Sequence, residues 1–252
     1  MNFKKKNNSA PLLYGFHAVR EAWLNPDRTI QNLYLTEQSA KGFDPTLAEA
    51  KNKGLRRPQP QIVDKKKLDK LLPQGAVHQG IALAASDVEE RDVQDFIIRA
   101  KTADKSVILM LDQVTDPHNV GAILRSACAF GAAGIVMQKK HAPSLDGVLA
   151  KTACGAVEHV PVAYETNLSR ALEAMKEEGF FVFGLDERGV RSVDQIRDDN
   201  HSKIVLVLGA EGPGIRHLIK ENCDELVKLP TSGAIQSLNV SNAAAVALFC
   251  CQ

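Results

Sequence analysis

The sequence predicts an α/β protein built on a mostly parallel sheet, with a smaller α/β module in front of it. Three observations predict this. Apolar runs such as SVILMLD, GIVMQ and KIVLVLG read as strands covered on both faces. Segments of helical periodicity stand between those runs, as parallel crossovers require. The length of 252 residues, with 44% hydrophobic and 24% charged content, suits one large domain or two modest ones.

Residues 1–11 read as a flexible basic tail, with no apolar stretch behind the lysines to make a signal peptide. Residues 12–85 alternate in short elements. GFHAVREAWLN predicts a helix stopped at Asn25-Pro26, and NLYLT a strand. A helix is expected over residues 45–53 with Gly54 as its cap, then a strand at QIVD. DKKKLDKLL is a helix ending before Pro73, and GIALAAS is a strand. Residues 86–105 are polar and read as a linker holding a short helix-like stretch, VQDFIIRAK.

Residues 106–252 form the second module. SVILMLD leads through DPHN into a helix reaching Phe130, and GIVMQ follows as a strand. Residues 144–154 are helical, EHVPVA is a strand, LSRALEAMKEEG a helix and FFVFGLD a strand. KIVLVLG ends in the loop GAEGPGI, followed by the helix IRHLIKEN. The strand DELVKLP, the loop TSGAIQS and the helix LNVSNAAAVALFC close the sequence.

Composition narrows the function. No apolar run is long enough to span a bilayer, so a cytoplasmic protein is expected. The five cysteines form no CxxC pair and the seven histidines show no metal-ligand spacing; reduced thiols and no metal are expected. Residues 1–85 carry 14 Lys and Arg against 7 Asp and Glu, whereas residues 86–252 carry 17 against 23. A basic front on an acidic back suggests that the front meets a polyanion.

Three segments follow predicted strand ends, where open α/β sheets place ligands. In DPHNVGAILRSACAFG, Val120, Ile123, Leu124, Ala127 and Gly131 fall on one stripe expected to face the sheet, and Arg125 lies off it. In VLVLGAEGPGI, three glycines and a proline allow close approach to backbone, with Glu211 in the middle. This is neither G-x-G-x-x-G nor a P-loop. In LPTSGAIQSLNVSNAAAVALF, Ser237, Asn239, Ser241 and Asn242 cluster at the start of an Ala-rich helix. Capping accounts for one or two of the four.

Together these segments resemble the SpoU (TrmH-like) family of RNA 2'-O-ribose methyltransferases. The resemblance rests on Asp116, Pro117, Asn119, Gly121, Arg125 and Gly131; on Gly209, Glu211, Gly212 and Gly214; and on Pro230, Gly233, Ser237, Leu238, Asn239, Val240 and Ser241. Leu13-Tyr14-Gly15, His17-Ala18-Val19 and His78-Gln79-Gly80-Ile81 resemble the L30e-like substrate-binding domain of that family's bacterial 23S rRNA (guanosine-2'-O-)methyltransferase branch. Thr152, Cys154 and Asn242 depart from the family's usual Ser, Ala and small apolar residue.

The resemblance implies a SPOUT-type α/β knot, with a C-terminal trefoil knot, in an active homodimer. It implies S-adenosylmethionine as cofactor, with contacts at Gly209, Leu229 and Leu238. The implied reaction methylates a ribose 2'-hydroxyl, on a guanosine in the peptidyl-transferase region of 23S rRNA. Arg125 would stand nearest the hydroxyl proton, as base or as the group that orients the hydroxyl while a phosphate or water takes the proton. Glu211 would orient Arg125, Asn119 would fix the first loop, and Ser237 and Asn239 would shape the pocket and hold the ribose. A tRNA ribose or another rRNA site remains as substrate, and a non-catalytic RNA-binding or ribosome-assembly factor as another class. A Rossmann oxidoreductase lacks its glycine fingerprint.

Overall fold

The computed structural model describes residues 12–234 and 237–252, so the tail expected over residues 1–11 lies outside it. Contacts divide the chain into two units: residues up to 88 with 145–158, and residues 89–144 with 159–252.

The first unit holds a four-stranded sheet in the order β1 (Leu12–Tyr14), β4 (Ile81–Ala85), β2 (Ile30–Leu35), β3 (Gln61–Ile62). β4 is antiparallel to both β1 and β2, and β3 is parallel to β2. Helices α1 (Phe16–Leu24), α2 (Glu37–Asn52) and α3 (Lys65–Leu71) accompany it. α1 ends at Asn25, as the Asn-Pro pair predicts. α2 begins eight residues before the helix expected at Pro45. A capping box between Thr36 and Ser39 starts it, and Pro45 is carried inside at the cost of one backbone hydrogen bond. α6 (Gly147–Thr152) also belongs here and packs on β1 and α1. The short helical turn at Ala156–Glu158 does too, and its Glu158 receives Nε and Nη2 of Arg28 at 2.9 and 2.7 Å. Both side chains of that pair are nearly sealed, at 4% and 3% exposure.

The second unit holds seven parallel strands in the order β7 (Val162–Glu165), β6 (Gly134–Gln138), β5 (Ser106–Asp112), β10 (Lys203–Gly209), β8 (Phe181–Leu185), β11 (Glu225–Lys228), β9 (Arg191–Ser192). The pairings are all parallel, as the continuous apolar runs predict. One face of the sheet presents Ile108, Met110, Val205 and Val207 to a core shared with α4 (Val93–Ala100), α7 (Leu168–Glu177) and α8 (His217–Glu221). Strand alternation turns Leu109 and Leu206 the other way. α5 (Pro117–Ala129) and α9 (Val240–Cys250) pack against each other, and α9 also contacts β10.

The residues expected as a linker include α4, which is part of this core: Val93, Phe96, Ile97 and Ala100 are all buried. The Phe96 ring occupies the space above Gly134, where an added Cβ would come within 2.5 Å of it. On α5, Val120, Ile123, Leu124 and Ala127 are buried as the stripe predicts. Gly131 lies past the helix end with φ +65° and is exposed, so it serves to turn the chain and does not face the sheet. Among the described residues, no helix is long and apolar enough to cross a membrane.

Candidate active site

From β5 the chain runs outward through β6 to β7, then returns to lay β10 on the other side of β5. This reversal makes the C-terminal ends of β5 and β10 the switch point of the sheet, where such folds open a crevice. Asp112 and Gly209 end these strands and are register partners. The three sequence segments lead from the ends of β5, β10 and β11.

Gly209 has no space for a side chain. A Cβ would stand 2.0 Å from the carbonyl carbon of Gly214 and 2.2 Å from the nitrogen of Ile215. The following loop doubles back, with the Gly214 N–H donating to the Ala210 carbonyl at 2.9 Å. Gly212 and Gly214 take φ of +84° and +67°, which only glycine adopts without strain. Glu211 is thereby held out, exposed, near the tip of a tight loop.

Asn119, in the first turn of α5, donates from Nδ2 to Glu211 Oε1 at 3.2 Å. Asn239 donates from Nδ2 to Asn119 Oδ1 at 2.9 Å and to the same Glu211 oxygen. Its own Oδ1 accepts the Ser241 N–H at 2.9 Å and the Ser241 hydroxyl, so Asn239 also caps α9. Three residues from three segments thus form one hydrogen-bonded cluster.

Arg125 is exposed on α5, and among the described residues its guanidinium makes no hydrogen bond or ion pair. Glu211, expected to orient Arg125, is engaged by the two asparagine amides instead. Helical geometry gives the reason. Arg125 stands six residues beyond Asn119, roughly 240° around the helix and about 9 Å along it. Ser237 is exposed, Leu238 is 46% exposed, and Gly209 and Leu229 are half-buried. Ile235 and Gln236 of the same loop lie outside the described residues.

The sequence reading missed Asp112 and Arg216. Asp112 is fully buried, and Arg216 donates to it from backbone N–H and from Nε, each at 2.8 Å. A charged residue closing an apolar strand, and an arginine directly after a glycine-rich loop, were the available signals.

Comparison with known proteins gives a consistent result. Residues 106–249 match the SpoU rRNA Methylase family, and residues 12–91 match the family described as RNA 2'-O ribose methyltransferase substrate binding. A Bacillus subtilis protein assigned to the TrmH family of tRNA/rRNA methyltransferases is 39% identical over 237 residues, 93% of this chain and 92% of its own. The 23S rRNA (guanosine-2'-O-)-methyltransferase RlmB of Shewanella oneidensis is 38% identical, covering 94% of this chain and 95% of that one. Its counterpart from Photobacterium profundum is 35% identical over 96% of both chains. The AdoMet-bound crystal structure of the SpoU methyltransferase AviRb from Streptomyces viridochromogenes shares the fold, with TM-score 0.75 and 22% identity over 95% of this chain and 88% of that one.

Proposed function

Since this chain belongs to the SpoU rRNA methylase family, it is an S-adenosylmethionine-dependent RNA 2'-O-ribose methyltransferase, and we propose that its substrate is a guanosine of 23S rRNA. The observation that carries the reading is the cluster of Asn119, Glu211 and Asn239 at the carboxyl ends of parallel strands, with Arg125 on the same helix as Asn119. The peptidyl-transferase region, which the family resemblance implies, is the target we favour. The 14 Lys and Arg of residues 1–85 suit contact with rRNA phosphates. A cytoplasmic site of action belongs to the same proposal.

The strand-end residues fit the cofactor. Gly209 and Leu229 offer backbone groups at half-buried positions, and Leu238 offers an apolar side chain. Such a set suits an adenine and a thioether better than a phosphate-rich ligand. When bound, S-adenosylmethionine supplies a methyl group already activated on a sulfonium.

The chain's own task is to align a ribose hydroxyl and manage its proton. Arg125, whose guanidinium is uncommitted among the described residues, is the group we assign to that hydroxyl. An arginine stays protonated in proteins, so its role is to orient the oxygen and stabilise charge developing on it, while a substrate phosphate or water accepts the proton. Glu211 accepts from Asn119 and Asn239 and acts on the loop, not on Arg125. Asn239 ties that loop to the start of α9, and Ser237 lies exposed just before it, where the ribose would be held. The trefoil knot expected of the family agrees with the way Asn239 reaches both α5 and the Glu211 loop. A homodimer belongs to the same reading.

Arg125→Ala is expected to abolish methyl transfer while leaving S-adenosylmethionine binding nearly intact. Tritium transfer from labelled cofactor into rRNA, with a calorimetric titration of the cofactor, measures both. Transfer at the wild-type rate would remove Arg125 from the site. Mapping 2'-O-methyl positions in rRNA with and without the gene identifies the nucleotide; if only tRNA positions changed, the 23S assignment would fall.

A further inference from the structure

Asp112 and Arg216 stand outside the residues assigned above, yet they anchor the loop that carries Glu211. Asp112 ends β5 and has no exposed surface. Both of its carboxylate oxygens are taken by one residue. The Arg216 backbone N–H donates to Oδ2 at 2.8 Å, Nε donates to Oδ1 at 2.8 Å, and Nη2 lies 2.6 Å from Oδ1. A buried carboxylate held in this way fixes the backbone and the side chain of its partner together.

The placement of Asp112 gives the pair its consequence. On one side Asp112 is the register partner of Gly209, the residue where the loop departs. On the other it holds Arg216, the residue where the loop has ended and α8 begins. Both ends of residues 210–215 are therefore fastened at a single buried residue. Between them, Ile215 is buried and Gly214 bonds back to Ala210, so little slack remains. Glu211 is two residues from the first anchor.

We propose that Asp112 and Arg216 are positioning residues for methyl transfer: their clamp sets the 210–215 loop and thereby the Glu211–Asn119–Asn239 cluster. This rests on the methyltransferase reading. The guanidinium fork is needed because a lysine would supply one point charge where Arg216 supplies Nε and Nη2 in fixed geometry. A displacement of about 1 Å in a catalytic arrangement can cost on the order of a hundredfold in rate.

A rate cycle on the full chain separates positioning from general stability. Arg216→Ala, Glu211→Ala and the double variant are compared with wild type in single-turnover methylation of rRNA at saturating cofactor. Arg216→Ala is expected to lose roughly ten- to a hundredfold in rate, with little change in KM for RNA. Arg216→Lys should recover only part of the loss. In the Glu211→Ala background the same change should cost almost nothing further, because the clamp then has no carboxylate to place. Amide exchange over residues 209–216 should quicken in Arg216→Ala while β5 and β10 keep their protection. If Arg216→Ala does not fold, Arg216→Lys carries the same cycle. Equal losses in both backgrounds, a wild-type rate in Arg216→Ala, or exchange quickened throughout the sheet would each overturn the clamp. Absence of methyl transfer to any RNA by the wild-type chain would instead defeat the functional reading, and this inference with it.

Discussion

Two cysteines are kept as thiols by their surroundings. Burial pushes Cys223 up to about 12, with the Asp224 carboxylate adding to it, and burial does the same to Cys251. The ordinary value is 9.0, so in the unfolded chain these thiols ionise near pH 9 while in the folded chain they do not. The folded state holds the extra protons, and its advantage is complete below about pH 9. That advantage is lost as pH rises from there toward 12. Cys223 and Cys251 are therefore expected to resist a maleimide at pH 7–8 until the protein is unfolded. Labelling followed by peptide mass mapping checks this, and rapid native modification of both would contradict it. At this scale the sequence was informative about exposure and silent about pairing. The stripe on α5 marked Arg125 as outward-facing. Nothing in local periodicity says that Asn119 and Asn239, 120 positions apart, share a hydrogen bond, so the two amides that donate to Glu211 were not foreseen.

At the scale of elements, the pair Arg28 and Glu158 decides where a stretch of chain belongs. Asn25 also donates to Glu158 at 2.7 Å, so the carboxylate is well supplied with donors. Removing one charge leaves the other buried and uncompensated, which costs about 3–5 kcal/mol. Glu158→Gln or Arg28→Met should lower stability by about that amount in urea unfolding. An Arg28→Met/Glu158→Leu double variant should lose much less, since apolar replacement of both partners is often close to neutral. Additive losses in the double variant would show that the pair is not acting as a pair. Most elements were legible because turn chemistry and apolar runs mark them locally, as at Asn25-Pro26 and SVILMLD. The exceptions arise from tertiary packing. α4 has polar flanks typical of a linker, but Phe96 fills the space over Gly134. α6 lies between two strands of the large sheet in sequence, yet packs on β1 and α1.

At the scale of the whole molecule, the outer face of α9 is the surface on which the proposed homodimer can be tested. Val246 is 40% exposed and Phe249 57% exposed, with Phe130 edge-on to Phe249 at 6.2 Å. Ala243 and Ala245 beside them are small enough to let another helix come close. Light scattering should give twice the 27.4 kDa chain mass, and Phe249→Asp should shift the protein toward one chain. A Phe249→Asp protein that stays dimeric would move the interface elsewhere.

The Arg28–Glu158 pair also sets a timetable. These residues are 130 positions apart, and β5 and β6 lie between them. A ribosome adding about 5–20 residues per second exposes Arg28 on the order of ten seconds before Glu158 has been synthesised. The first unit cannot complete its core until two strands of the second have been made. Maturation of the two units is interleaved during translation, and a nascent chain paused between them carries an arginine still waiting for its carboxylate.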